Sequence, residues 1–411
     1  MSDIHIGAFR QPELRSLVLS AFEAAIDRCM REKVDFIIMA GDIFDSNIPD
    51  LGAVRRAAAK FREATDAGIR FYAIYGSHDF SPNYSSIVDV LDGAGLFASV
   101  ELKQGNGERV TLRFIEDPSG AKLCGISGKK LSLDMEDYRK LERLPLEEKT
   151  GFKIFVFHGG LDELKPSSLE MIETMPTSLL PIGFGYYAGG HIHAHMVKSL
   201  PGHPNIVYPG PLFATDYSEL VQIARGDQRG FYLVDFEDHR VTETRFVPVK
   251  VCDVTELHFT AEGKTPLEVT RELLERVERA DITDKVVLIT VEGKLREGRT
   301  SDVNFQAVRK RLQASNPLIT LLNYSSLTST ELMAPQGPPR NTRVVERELF
   351  EKNIKGVKTE VSKLRGTEGV AVALDLLRTL KEPKKENESR AEFEERTTKA
   401  GFEVLGLKEE T

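Results

Sequence analysis

From Met1 to about Lys250, short apolar runs alternate with stretches whose apolar residues recur at helical spacing. Leu14, Leu17, Val18, Ala21 and Ala25 share one face of a helix over Leu14–Arg31, and "VDFIIMAG" after it reads as a buried strand. The alternation continues with a helix over Leu51–Ala67 and the strand "IRFYAIYG". Further strands are predicted at "KIFVFHGG", "GYYAGGHI", "NIVYPG" and "GFYLVDF". Apolar strands alternating with helices predict an α/β fold whose sheet is covered on both faces.

Beyond about Val251 the pattern changes. "VTRELLERVERA", "DKVVLITVEGKL", "NFQAVRKRLQA" and "LITLLNY" read helix, strand, helix, strand, which predicts a small α+β domain. "MAPQGPPRN" (Met333–Asn341) reads as a linker, because Pro and Gly interrupt both kinds of regular structure. Val344–Lys363 and Val370–Leu380 then read as helices, with "KEPKKENESR" as a charged break. The implied division is 1–250, 251–330 and 331–411, the last with too little apolar surface to fold unaided. A length of 411 residues agrees with two or three domains.

Composition narrows the class. The hydrophobic fraction of 41% and charged fraction of 29% are those of a globular chain. No apolar run is long enough to cross a bilayer, and the start lacks the basic-then-apolar order of a secretory signal. A cytoplasmic location with no membrane partner is expected. Cys29, Cys124 and Cys252 lack CxxC spacing and read as reduced core thiols. A net charge of −8 argues against bulk attraction to nucleic acid and leaves room for a local basic groove.

Five short motifs end or follow the predicted strands: Asp3-Ile4-His5, Gly41-Asp42-Ile43-Phe44-Asp45, Gly76-Ser77-His78-Asp79, Phe157-His158-Gly159 and Gly190-His191-Ile192-His193. Singly, each is ordinary turn chemistry. Together they place five of the nine histidines beside aspartates at strand ends, where the ligands of an open α/β sheet gather, so convergence at one sheet rim is expected. Imidazole and carboxylate without thiolate suit Mn, Fe or Zn and argue against a structural zinc site. The number of donors suits two ions, with Asp42 bridging them because the glycine before it permits a close turn. Two such ions activate water and stabilise charge in an in-line displacement at phosphorus. His191 and His193, two apart on an extended segment, are expected to face one side and serve different ions.

This order of motifs resembles the calcineurin-like metallophosphoesterase superfamily. Within it, "SDIHIG", "GDIFDS" and the long C-terminal extension look like the SbcD-type (meiotic recombination eleven) double-strand-break repair nucleases. The resemblance implies a four-layer β-sandwich flanked by helices, a small α+β cap over the DNA groove and a helical tail that grips a coiled-coil ABC-type ATPase. It implies Asp3, His5, Asp42 and His193 around one Mn²⁺, and Asp42, Ser77, His158 and His191 around a second. His78 would face the phosphate and assist the leaving oxygen. Asp45 stands where some relatives carry histidine and is given a supporting role. Asp79 is expected to orient His78 or cap the following turn. The family pattern has asparagine at Ser77, and a neutral hydroxyl is a poorer ligand, so a weaker second ion is expected.

The implied activity is cleavage of DNA phosphodiesters, as an exonuclease on duplex ends and an endonuclease on single strands. Two other readings use the same residues differently: a phosphomonoesterase or cyclic-nucleotide phosphodiesterase, and a non-catalytic scaffold for the ATPase. Arg10, Arg15, Lys129 and Lys130 are candidates for DNA-backbone contact. His195 and His203 read as surface or loop histidines, and His239 and His258 receive no role. Ile87, Val90 and Leu91 lie at helical spacing in "NYSSIVDVLDGAGLF", either packing on the sheet or, as the resemblance implies, pairing with Leu51–Ala67 in a homodimer interface. Because "SDIHIG" chemistry normally follows a buried strand, a strand upstream of Met1 is expected.

Overall fold

The computed structural model describes residues 1–81, 86–104, 109–130, 133–165, 173–329, 342–354, 361–383, 385 and 390–405. The period of two along each central strand determines the layering. In Phe36–Ala40, Ile37 and Met39 face a helical layer, while Phe36, Ile38 and Ala40 face the opposite way. Arg70–Ile74 repeats this, with Phe71 and Ala73 on one side and Tyr72 and Ile74 on the other. These two strands pair in parallel, and Ala98–Ser99 adds a third. The helices Pro12–Glu32 and Leu51–Asp66 cover the outer face through Phe22, Ile26, Ala57 and Phe61.

A second sheet of six strands packs on the inner face. Its order is Met196–Leu200, His203–Tyr208, Tyr186–Gly190, Lys153–His158, Lys122–Ile126 and Ile115–Glu116, parallel at its centre and antiparallel at both edges. Ile154, Val156, Tyr186, Ala188, Leu123 and Val207 meet Ala40, Tyr72 and Ile74 across the gap. Phe155, Phe157, Tyr187, Cys124 and Ile126 point outward into a layer holding Tyr138, Leu146 and Phe184. Helix, sheet, sheet and outer layer make the expected four-layer sandwich. Each such side chain, fully buried, contributes about 1.5–3 kcal/mol, so the strands are defined on both faces.

The expected single rim is therefore two. A sheet buried on both faces reads the same in sequence whether helices or another sheet cover it. The antiparallel partner Arg240–Pro248 of Gly230–Glu237 also went unread, since it alternates with mostly polar, exposed positions. The predicted α+β elements occur as Pro266–Arg279, Val286–Leu295, Phe305–Ala314 and Ile319–Asn323, joined by an unread first strand, Val254–Thr260.

Two compact units result. One comprises Met1–Glu262, Leu267–Gly293 and Val303–Leu327; the other comprises Gly263–Pro266, Lys294–Asp302 and Thr328–Thr411. Within the second, the helix Gly366–Leu380 packs against Thr342–Asn353 and against a third helix, Arg390–Leu405, that charge had hidden. The helix predicted over Val344–Lys363 ends at Asn353 among the described residues, and Ser362–Leu364 is a 3-10 turn. The linker Met333–Asn341 lies outside the described residues. No described helix is long and apolar enough to cross a membrane.

Candidate metal centre

The four central strands end level with one another. Ile74 pairs with Ala40, and Gly190 with His158, so the loops that follow emerge at one end of both sheets. His158 continues the inward row of Ile154 and Val156, which aims its ring across the intersheet gap. There its Nδ1 meets the Ala40 carbonyl oxygen at 2.8 Å. The N-terminal segment runs beside the same loop: the Asp3, His5 and Ile6 amides donate to the carbonyls of Gly41, Asp42 and Ile43 at 3.0, 3.0 and 2.9 Å.

Asp42 is the hub. Its Oδ2 lies 3.2 Å from His158 Nε2, 3.7 Å from His5 Nε2 and 3.4 Å from Ser77 Oγ, while Oδ1 accepts the His78 amide at 2.7 Å. Three overlapping donor groups form here: Asp3, His5 and His193; His5, Asp42 and His78; and Asp3, Asp42 and His158. Within each, the ligand atoms lie within 4.8 Å of one another. His191 sits with the last of these, its ring 5.4 Å from that of His158, and its amide donates to Asp3 at 2.8 Å. Asp3, His5, Asp42, His78, His158, His191 and His193 thus meet in one place, with Ser77 among them.

The backbone at this place is strained. Asp3, His5, Asp42 and His191 have φ of 52°, 48°, 50° and 85°, the left-handed region that residues other than glycine avoid. His191 therefore does not lie on an extended segment; the kink turns it toward His158, while His193 reaches the His5 ring at 5.3 Å. Gly41 and Gly76 are needed for approach. A Cβ on Gly41 would stand 2.4 Å from His158 Nδ1, and one on Gly76 would stand 2.1 Å from Asp42 Oδ1.

Asp79 corrects its expectation. It is fully buried and turned away from His78, accepting the Ile43 and Gly76 amides on Oδ2 and the Phe44 amide on Oδ1, each at 3.0 Å. It pins the Asp42 loop to the Ser77 loop. His78 is instead held by the Asp45 carbonyl oxygen, 2.8 Å from Nδ1, which leaves Nε2 on the far side of the ring. The Asp45 carboxylate lies 3.3 Å from His5 Nδ1.

The donor chemistry fits a divalent cation. Both ring nitrogens of His5 and Nε2 of His158 are buried without a hydrogen-bond partner, although carboxylate oxygens lie nearby. Buried polar atoms are ordinarily satisfied, and a metal is the partner that suits inward-facing imidazole nitrogens around carboxylates. The electrostatics agree. Burial alone would push the Asp42 carboxyl up, but His158 and His5 beside it hold it well below the usual carboxylate range. Burial and the neighbouring His158 lower His191 to about 4, which leaves a neutral ring suited to coordination.

The centre opens into two cavities. One of about 560 Å³ is lined by His5, Asp42, His78, His193 and His195. Another, about 260 Å³, is lined by Gly128, Lys129, Asp134 and His158, and Ser77 and His191 border both. His195 is exposed and stacks on Phe246 at 4.2 Å between centroids. His203 is not a surface residue: it is 4% exposed, its Nε2 is 3.2 Å from the Leu180 carbonyl oxygen, and it serves the core. Among the predicted basic residues, Lys129 is tied to Asp137 at 2.7 Å, and Arg15 donates to the Arg10 carbonyl oxygen at 2.9 Å. Glu219, Thr215 and Arg229, which surround His193, carried no motif in the sequence.

Two stacked sheets with an Asp/His cluster across their shared end form an α/β sandwich that offers the donors of a divalent-cation site. Residues 1–195, just under half of the chain, match the calcineurin-like phosphoesterases. Among its relatives, the "DNA double-strand break repair protein Mre11" of Methanococcus maripaludis is 28% identical over 57% of this chain and 62% of its own length. The protein of the same name from Archaeoglobus fulgidus is 25% identical over 68% of this chain and 65% of its own. The "uncharacterized metallophosphoesterase YhaO" of Bacillus subtilis is 30% identical over 51% and 47% respectively. The chain thus spans less than two thirds of the length of these relatives.

Proposed function

We propose that this chain is a Mn²⁺-dependent DNA nuclease that hydrolyses phosphodiesters, as an exonuclease on duplex ends and an endonuclease on single strands. The convergence of five separate motifs on Asp42, with orphaned ring nitrogens facing inward, carries this reading. Asp3, His5, Asp42 and His193 would hold one ion, and Asp42, Ser77, His158 and His191 a second. When bound, such a pair supplies Lewis acidity toward water and the phosphate oxygens. His78, exposed at the cavity and oriented by the Asp45 carbonyl, protonates or stabilises the departing 3′ oxygen. Asp79 and Asp45 hold the ligand loops.

The names of the relatives support double-strand-break repair as the setting. In this reading residues 251–330 cap a DNA groove, and 331–411 form a linker and tail that dock on a coiled-coil ABC-type ATPase. Exposed apolar residues support a homodimer: Ile48, Leu51 and Val90 are 82%, 77% and 62% exposed, and the Ile87 amide donating to Asn47 ties their loop to their helix. The test is a Mn²⁺ titration of cleavage on end-labelled duplex DNA. Mn²⁺-dependent release of nucleotides supports the proposal. Hydrolysis of p-nitrophenyl phosphate with none of DNA would replace it by a phosphomonoesterase, and no metal uptake at all would leave a scaffold.

A further inference from the structure

Asp45 stands 3.3 Å from His5 Nδ1, and among the histidines of the centre His193 has the nearest carboxylate behind it. Its Nδ1 lies 2.7 Å from Glu219 Oε1, whereas the Nδ1 of His158 is backed by a neutral carbonyl oxygen. Glu219 is itself fixed. Its side chain is 7% exposed, and its Oε2 accepts the Thr215 amide at 2.7 Å and the Thr215 hydroxyl at 2.9 Å. Its amide donates to Asp216, which caps the helix Tyr217–Ala224. The buried Arg229 closes the arrangement, donating to the His193 carbonyl oxygen at 2.8 Å and to Gln222 at 2.7 Å.

A carboxylate at Nδ1 has two consequences. It holds the hydrogen on Nδ1, so the lone pair is on Nε2, the atom that faces Asp3 Oδ1 at 3.9 Å. It also fixes the ring plane and makes Nε2 a stronger donor to a cation. In the second donor group the Ala40 carbonyl oxygen holds His158 in the same tautomer without a negative charge, and Ser77 stands there as a neutral hydroxyl. The centre is therefore asymmetric beyond the identity of its direct ligands.

We infer that Glu219 is a positioning residue for His193 and sets the cation affinity of the Asp3/His5/His193 half, so that the two ions load in sequence with this half first. The inference rests on the dinuclear reading above. Its test is calorimetric titration of the full chain with Mn²⁺, comparing wild type, Glu219→Ala and Glu219→Gln. The expected result is two unequal steps in wild type. Glu219→Ala should weaken the tighter step by roughly 10–100-fold, and Glu219→Gln, which keeps an acceptor, by less. In metal-free protein with ¹⁵N-labelled histidine, Glu219→Ala should also lose the Nδ1-protonated signature of His193, and Gln should restore it. An unchanged tighter step, or equal weakening of both steps, would overturn the inference while leaving the nuclease reading intact. Absence of Mn²⁺ binding in wild type would remove both.

Discussion

The strand Phe36–Ala40 and the loop that follows it obey opposite rules. Along the strand every residue satisfies local propensity and packing together, with Ile37 and Met39 in one core and Ala40 in another. Two residues further on, Asp42 has left-handed backbone, is 2% exposed and faces the His5 and His158 Nε2 atoms, which lack hydrogen-bond partners. One region minimises local conflict and the other concentrates it. The difference shows what the sandwich does for the site: strands clamped on both faces hold four loops where the loops alone would relax.

The largest effect expected is at the hub. Asp42→Ala should remove metal uptake and all cleavage while far-UV circular dichroism stays native, because the core does not depend on this carboxylate. A metal-loaded Asp42→Ala protein would break the comparison. Next, His78→Ala should lower kcat by roughly 10²–10⁴-fold, with Mn²⁺ and DNA affinity retained; joint loss of binding would make His78 a ligand instead.

The core side is tested by Leu123→Ala, which empties a position that is 0% exposed between the sheets. It should cost about 2–5 kcal/mol in denaturant unfolding and leave activity per folded molecule unchanged. A smaller effect concerns acid. Burial pushes Asp117 up, but hydrogen bonds from Arg70, Ser119 and Tyr72 hold its carboxyl below the usual range. Its stabilisation is therefore full above an unfolded value of about 3.9 and is lost as pH falls through the lower folded value. Thermal melts of wild type should drop more steeply below pH 4 than those of Asp117→Asn; parallel curves would contradict it. The smallest expected change is Ser77→Asn, which should lower the Mn²⁺ concentration for half-maximal cleavage.

The same contrast explains what the chain discloses in advance. Strands such as Lys153–His158 are legible because six consecutive buried residues leave no other reading. The candidate ligands are legible because Asp and His recur at strand ends. The second sheet is not, since a helix and a sheet demand the same apolar face. The positive φ of Asp3, His5 and His191 is invisible because long-range packing imposes it. Glu219 lies 26 residues beyond His193 in an ordinary amphipathic helix, and only the fold brings them together.

The central claim is that two cations share Asp42 at the common end of both sheets. Anomalous scattering from crystals soaked in Mn²⁺ tests it most directly. The account predicts two peaks about 3.5–4 Å apart flanking the Asp42 carboxylate, the stronger beside His193. A peak distant from Asp42, with none between His5 and His158, would contradict it.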